Sequence, residues 1–167
     1  RQDDFGDPNA KSIGDTLLTA EEQTQRRALI EKLRDKGWEW TMEEAAYTWF
    51  NRFAALRYME VNGYLPTHIR VFTDEDNNFR PQIITEAINL DLPGLDMDLV
   101  YDYKDRNETE ALYKFLLITQ CNALGRVLPG LFSQIEDFTI LLFPDNLLRE
   151  GSVVSEMIRM IDQEDWR

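Results

Sequence analysis

Cysteine and histidine are almost missing from this sequence: its 167 residues hold one of each, Cys121 and His68. A single cysteine excludes an internal disulfide and suits a reducing compartment. One cysteine and one histidine cannot assemble the usual nitrogen and sulfur zinc sites. A Cys/His nucleophilic pair stays open from sequence alone, beside the plainer reading of a loop histidine and a small buried cysteine. No apolar run approaches the ~20 residues that span a bilayer, and no secretory signal opens the chain. A Gly-rich phosphate loop is also missing, since Gly125 and Gly130 are isolated and neither follows a strand and opens a helix.

Positive charge is the next shortage. Lys and Arg number 18 against 31 Asp and Glu, a net charge of -13, and residues 71–167 carry -11 of it. Such a surface repels phosphates at long range, so non-specific nucleic-acid binding by the whole domain is disfavoured, and any DNA contact falls to the N-terminal part. What is plentiful is apolar side chain: 43% hydrophobic and 11% aromatic residues describe a globular chain long enough to bury a sizeable core.

The centre of the sequence is Thr41 to Gly63. Thr41 with Glu44 has the form of a capping box, and Gly63 suits the left-handed turn that closes a helix. Ala45, Trp49, Phe53 and Leu56 make one apolar stripe at helical spacing, and Ala46, Phe50, Ala54 and Tyr58 make a second. A helix apolar over so much of its girth is expected in the middle of a bundle. Arg52 and Arg57 lie inside it and need buried partners or a route to solvent.

Around that helix the sequence predicts a mainly α fold, a helical bundle around a central buried helix with at most one or two short strands. Residues 1–18 read as a flexible arm or linker, and 19–167 as one helical domain. The first residue is arginine rather than methionine, which points to a piece of a longer chain. Thr19 and Glu22 cap a helix over 20–36 that Gly37 closes. Trp38-Glu39-Trp40 reads as a packed corner, with a stacking platform for a base as the second option. Ile69, Val71 and Phe72 suggest a short strand without an obvious partner, and Asp74 to Asn78 a polar turn. A short helix is expected from Pro81 to Asn89, then loop with one helical turn over 90–107. Asn107 is expected to cap a long helix that Pro129 ends, with Leu131-Phe132 opening another short one. Phe138 to Phe143 reads as strand or buried loop, and Ser152 to Ile161 as a last helix.

The remaining motifs are weak. The acidic stretch from Asp74 begins like a calcium loop but has Phe79 where the turn needs Gly and Thr85 where the bidentate Glu belongs. Asp96-x-Asp98 and Glu43-Glu44 read as caps or solvated charges. Asn107-Glu108-Thr109 matches a glycosylation sequon. Arg26, Arg27, Lys32, Arg34 and Lys36 form the densest basic cluster, nearly cancelled by Glu21, Glu22, Glu31 and Asp35. They read as a solvated face laced with i,i+4 pairs or as a phosphate-binding face, to which Arg52 and Arg57 are added as DNA-contact candidates.

Three ordered segments are more specific than their composition. AAYTWFNRFAALRYMEVNGYLP (Ala45 to Pro66), EALYKFLLITQCNALGRVLPGLF (Glu110 to Phe132) and LLFPDNLLREGSVVSEMIRMIDQEDW (Leu141 to Trp166) resemble the N-terminal region of the PglX-type adenine-specific DNA methyltransferases of bacterial BREX phage-defence systems. The resemblance implies a cytoplasmic parent that transfers a methyl group from S-adenosylmethionine to N6 of adenine. It implies as partners a downstream catalytic domain, DNA reached through the parent, and other phage-defence proteins, with no membrane. That chemistry needs a Gly-containing cofactor loop and an Asn-Pro-Pro-Tyr type motif to hold the flipped base. Neither occurs here: Phe143-Pro144-Asp145-Asn146 has one proline and the wrong order. No catalytic, cofactor-binding or metal residue is therefore assigned. Two roles stay open, protein packing or partner contact on one side and positioning of target DNA on the other. A free-standing acidic interaction module unrelated to methylation is the third reading.

Overall fold

The computed structural model describes residues 5–167; the first four residues of the expected N-terminal arm lie outside the described residues. Seven α-helices, two short 3-10 helices (Ala87–Asn89 and Gln163–Trp166) and one two-stranded hairpin make up the regular structure among them, the mainly α architecture the sequence implies. They form two compact units. One takes the chain up to Phe50 together with Ile135–Phe143, and the other takes Asn51–Gln134 and Pro144–Arg167.

In the first unit, β1 (Ser12–Ile13) and β2 (Thr16–Leu17) pair antiparallel, Ser12 opposite Leu17 and Ile13 opposite Thr16. Gly14 makes the reversal at φ +57°, a conformation an L side chain resists. Helix α1 (Ala20–Lys36) is bounded as its caps dictate. The Thr19 hydroxyl accepts from Glu22 N at 3.1 Å and the Glu22 carboxylate accepts from Thr19 N at 3.1 Å, the reciprocal capping box. Ile30 and Leu33 are buried on it, and α6 (Asp137–Leu141) packs against it.

Helix α2 (Trp38–Val61) corrects two expectations. It begins three residues before Thr41, so Trp38-Glu39-Trp40 is its first turn rather than a linker. Thr41 is fully buried and caps nothing: its hydroxyl donates to Gly37 O at 2.7 Å. The C-terminus is closed as expected. Gly63 lies at φ +70°, Gly63 N donates to Glu60 O and Tyr64 N to Met59 O, which is the Schellman arrangement. The first apolar stripe is buried in full, Ala45, Trp49, Phe53 and Leu56 all under 4% exposed. The second is not: Ala46, Phe50 and Tyr58 are exposed and Ala54 is half-buried. The helix is one-sided rather than buried around its girth.

Trp49 anchors the first unit. Its indole N–H donates to Thr139 O at 2.8 Å, and its ring meets Phe143 edge-on at 4.7 Å. Phe138 to Phe143, expected as strand or loop, is thus α6 and the turn after it. Five residues are too few for periodicity to separate a buried helix from a buried strand.

The second unit is built on α5 (Thr109–Val127), against which α3 (Gln82–Thr85) and α4 (Met97–Asp105) pack. Asp96 caps α4 through its carboxylate, which accepts from Asp98 N and Leu99 N, so 90–107 holds nine helical residues rather than one turn. Asn107 does not cap α5. It turns the chain at φ +54°, Glu108 takes the N-cap position without a side-chain bond, and Glu110 accepts from Leu148 N at 3.0 Å. Leu131-Phe132 opens no helix; Phe132 is buried in a turn. Helix α7 (Val153–Met160) starts where Ser152 accepts from Ser155 N.

The segment expected as a lone strand, Ile69 to Phe72, has no strand partner because side chains replace one. Val71 N and Phe72 N donate to Glu60 Oε2 at 2.7 and 2.9 Å, and Val71 O accepts from the Tyr113 hydroxyl at 2.6 Å. Its buried backbone groups are satisfied without a ladder.

Candidate functional site

The two arginines inside α2 are structural. Arg57 is fully buried, and its guanidinium donates to Glu60 Oε1 at 2.7 Å, to Thr73 Oγ1 at 3.3 Å and to Asn77 Oδ1. Burial pushes the Glu60 carboxyl above its ordinary range, opposed by the Phe72 N–H, by Arg57 and by the Val71 N–H. Arg52 donates to Leu131 O and to Ser133 O, the latter at 2.8 Å, and lies over the Phe132 ring at 5.6 Å. Both guanidinium groups are committed to the second unit, and neither presents itself to a phosphate.

Five cations remain on α1, and the structure divides them. Arg26 donates to Asp7 O and Phe5 O, tying down the segment before the hairpin. Arg27 and Arg34 are exposed, with Arg27 bonded to the Thr24 hydroxyl. Lys32 and Lys36 approach Trp40, each 5.7 Å from the ring centre, and Lys32 also lies 3.9 Å from Glu136. The cluster is therefore not one cationic face.

His68 and Cys121 do not make a nucleophile. His68 is an exposed turn residue at φ +56°. Cys121 is buried, and burial pushes its thiol up to about 12, so it keeps its proton at neutral pH. No group of three His, Cys, Asp or Glu side chains among the described residues is placed to hold a metal. The Asp74 stretch is a turn in which one carboxylate accepts from Asp76 N and Asn78 N. The bond from Asn78 holds its pKa below the usual carboxylate range. No helix among the described residues is long and apolar enough to cross a membrane.

The structure adds a feature in which the sequence reading places only Phe50, in a buried stripe, and Trp40, in a packed corner or stacking platform. Trp40, Tyr47 and Phe50 point outward from α2, 41%, 70% and 55% exposed. Glu39, Glu43 and Glu44, all exposed, stand among them. The spacing of Trp40, Tyr47 and Phe50, at i, i+7 and i+10, was the available signal. Apolar periodicity marks a face without saying that anything covers it.

The sequence relatives of this chain are adenine-specific methyltransferases. The chain is 35% identical over 166 residues, 94% of its length, to the adenine-specific methyltransferase BrxX of Escherichia coli O9:H4 (strain HS). It is 35% identical over 165 residues, 89% of its length, to the adenine-specific methyltransferase PglX of Lacticaseibacillus casei (strain Zhang). The resemblance carried by the three segments is thereby borne out: the chain is a homologue of part of these BREX methyltransferases. It spans 14% of the length of each. No protein-family model matches the chain.

Proposed function

We propose that the chain is the non-catalytic N-terminal domain of an S-adenosylmethionine-dependent DNA adenine-N6 methyltransferase of bacterial, cytoplasmic phage defence. In this reading it serves protein packing rather than direct DNA contact. The observation that carries the first half is relatedness along nine-tenths of this chain to two adenine-specific methyltransferases of which it matches only one-seventh. Catalysis and cofactor binding then belong to the remainder of such a protein, with DNA reached through it.

The preference for packing rests on charge. Of the seven basic residues that the sequence offers to DNA, Arg52 and Arg57 are committed inside the second unit and Arg26 to backbone carbonyls. The four left on α1 alternate with Glu31 and Asp35, too diluted to offset a net charge of -13. Calorimetry of the 167-residue chain with S-adenosylmethionine should give no binding heat. Reading the gene beyond Arg167 should give a cofactor loop and an Asn-Pro-Pro-Tyr type motif. Their absence over several hundred residues sinks the methyltransferase assignment and leaves a free-standing interaction module.

A further inference from the structure

We infer that the outward face of α2 between Glu39 and Phe50 docks a cationic protein segment, one whose Lys or Arg side chains lie on the aromatic rings and meet the carboxylates. Glu39, Glu43, Tyr47 and Phe50 follow one another at intervals of four, four and three residues, so they form one line along the helix, with Trp40 and Glu44 beside it. The whole line lies within the first unit.

Three observations select the occupant. First, Trp40, Tyr47 and Phe50 are the residue types that dominate interface energies, each able to bury roughly 150–250 Å². All three stand well exposed, Tyr47 and Phe50 on the line and Trp40 beside it, whereas single scattered apolar residues would need no explanation. Second, Glu39, Glu43 and Glu44 have no ion-pair partner among the described residues. Third, the fold already sets cations against one ring of this surface: Lys32 and Lys36 approach Trp40 from α1, which leaves the Tyr47 and Phe50 rings for the cations of a partner.

Carboxylates interleaved with aromatics exclude the competing occupants. DNA would bring phosphates against three glutamates, and a second copy placed face to face would set glutamate against glutamate. A segment bearing arginine or lysine meets both elements at once, its charge on the carboxylates and its planar or aliphatic part on the rings. This inference does not rest on the methyltransferase reading, because its test uses this chain and a defined peptide.

The test is an anisotropy titration of fluorescein-labelled hexa-arginine with the 167-residue chain at about 0.15 M salt, where diffuse attraction is screened beyond ~8 Å. The expected result is saturable binding. Tyr47→Ser/Phe50→Ser should weaken it at least tenfold, as should Glu39→Gln/Glu43→Gln/Glu44→Gln. Glu75→Gln/Asp76→Asn/Asp91→Asn, which removes the same charge from exposed sites in the other unit, should weaken it less than twofold. All replaced side chains are exposed, and circular dichroism confirms folding; if the serine pair unfolds, the glutamine triple variant decides. The inference is overturned by absence of binding, by equal loss in the control variant, or by binding insensitive to both face variants. Tighter binding of a 20-base-pair duplex overturns it too, as does self-association in sedimentation that the serine pair abolishes.

Discussion

Replacing Glu60 by glutamine changes one buried charge and almost no volume, and its cost follows from the geometry. Oε2 accepts two backbone N–H groups, from Val71 and Phe72, and Oε1 accepts from Arg57. Glutamine can keep one oxygen on the two N–H groups, but its amide nitrogen then faces the Arg57 guanidinium, donor against donor. The substitution also removes the desolvation cost of the carboxylate, which burial makes the largest influence on Glu60. The opposing effect is larger. A fully buried guanidinium left without its counter-charge costs about 3–5 kcal/mol, a large share of the ~5–15 kcal/mol that holds a domain folded. Glu60→Gln should therefore lower stability by about 3 kcal/mol in urea unfolding followed by circular dichroism. Arg57→Met/Glu60→Gln removes the stranded charge and keeps an acceptor for Val71 and Phe72, so it should recover most of the loss. The reasoning is refuted if Glu60→Gln costs under about 1 kcal/mol, or if the double variant is less stable than the single one.

Further predictions concern α5 and the groups packed around it. Gly125→Ala would gain roughly 1 kcal/mol of helix propensity at an open site. Here the new Cβ would lie 2.4 Å from the Phe132 carbonyl oxygen, so backbone must shift and the variant should be less stable by about 1–3 kcal/mol in the same assay. Native Cys121 should resist iodoacetamide at pH 8 and react once urea unfolds the chain. Because its folded pKa is raised from 9.0 to about 12, its contribution is fully present below pH 9 and is lost as pH rises toward 12, with a slope of about 1.4 kcal/mol per unit. Cys121→Ala should flatten the stability loss between pH 9 and 10; an unchanged slope there contradicts the assignment. Arg52→Met removes the donors to Leu131 O and Ser133 O and should increase amide exchange at 131–134 without altering exchange in α1.

How far the sequence discloses this fold depends on whether the deciding contact is local. The start of α1 is written in Thr19 and Glu22, and the ends of α1 and α2 in Gly37 and Gly63, because a cap is made by residues a few positions apart. Thr41 and Glu44 carry the same local pattern, but Thr41 donates back to Gly37 O inside a helix already begun at Trp38; the pattern permits a cap without requiring one. Arg57 and Glu60 are neighbours at i,i+3, yet what Glu60 does depends on Val71 and Phe72, a pairing no periodicity announces. The candidate face was visible as Trp40, Tyr47 and Phe50 at helical spacing. Its exposure was not, because side-chain polarity does not reveal which neighbours the fold brings.

The preference for protein over DNA is tested most directly by titrating a labelled 20-base-pair duplex with the 167-residue chain at about 50 and 200 mM salt. Neutralising several phosphates would change affinity by orders of magnitude between these conditions. A domain that packs on protein should show only weak binding at the lower salt and none at the higher. Tight binding that falls steeply with salt, and that is lost on replacing Arg27, Lys32, Arg34 and Lys36 by glutamine, would contradict it.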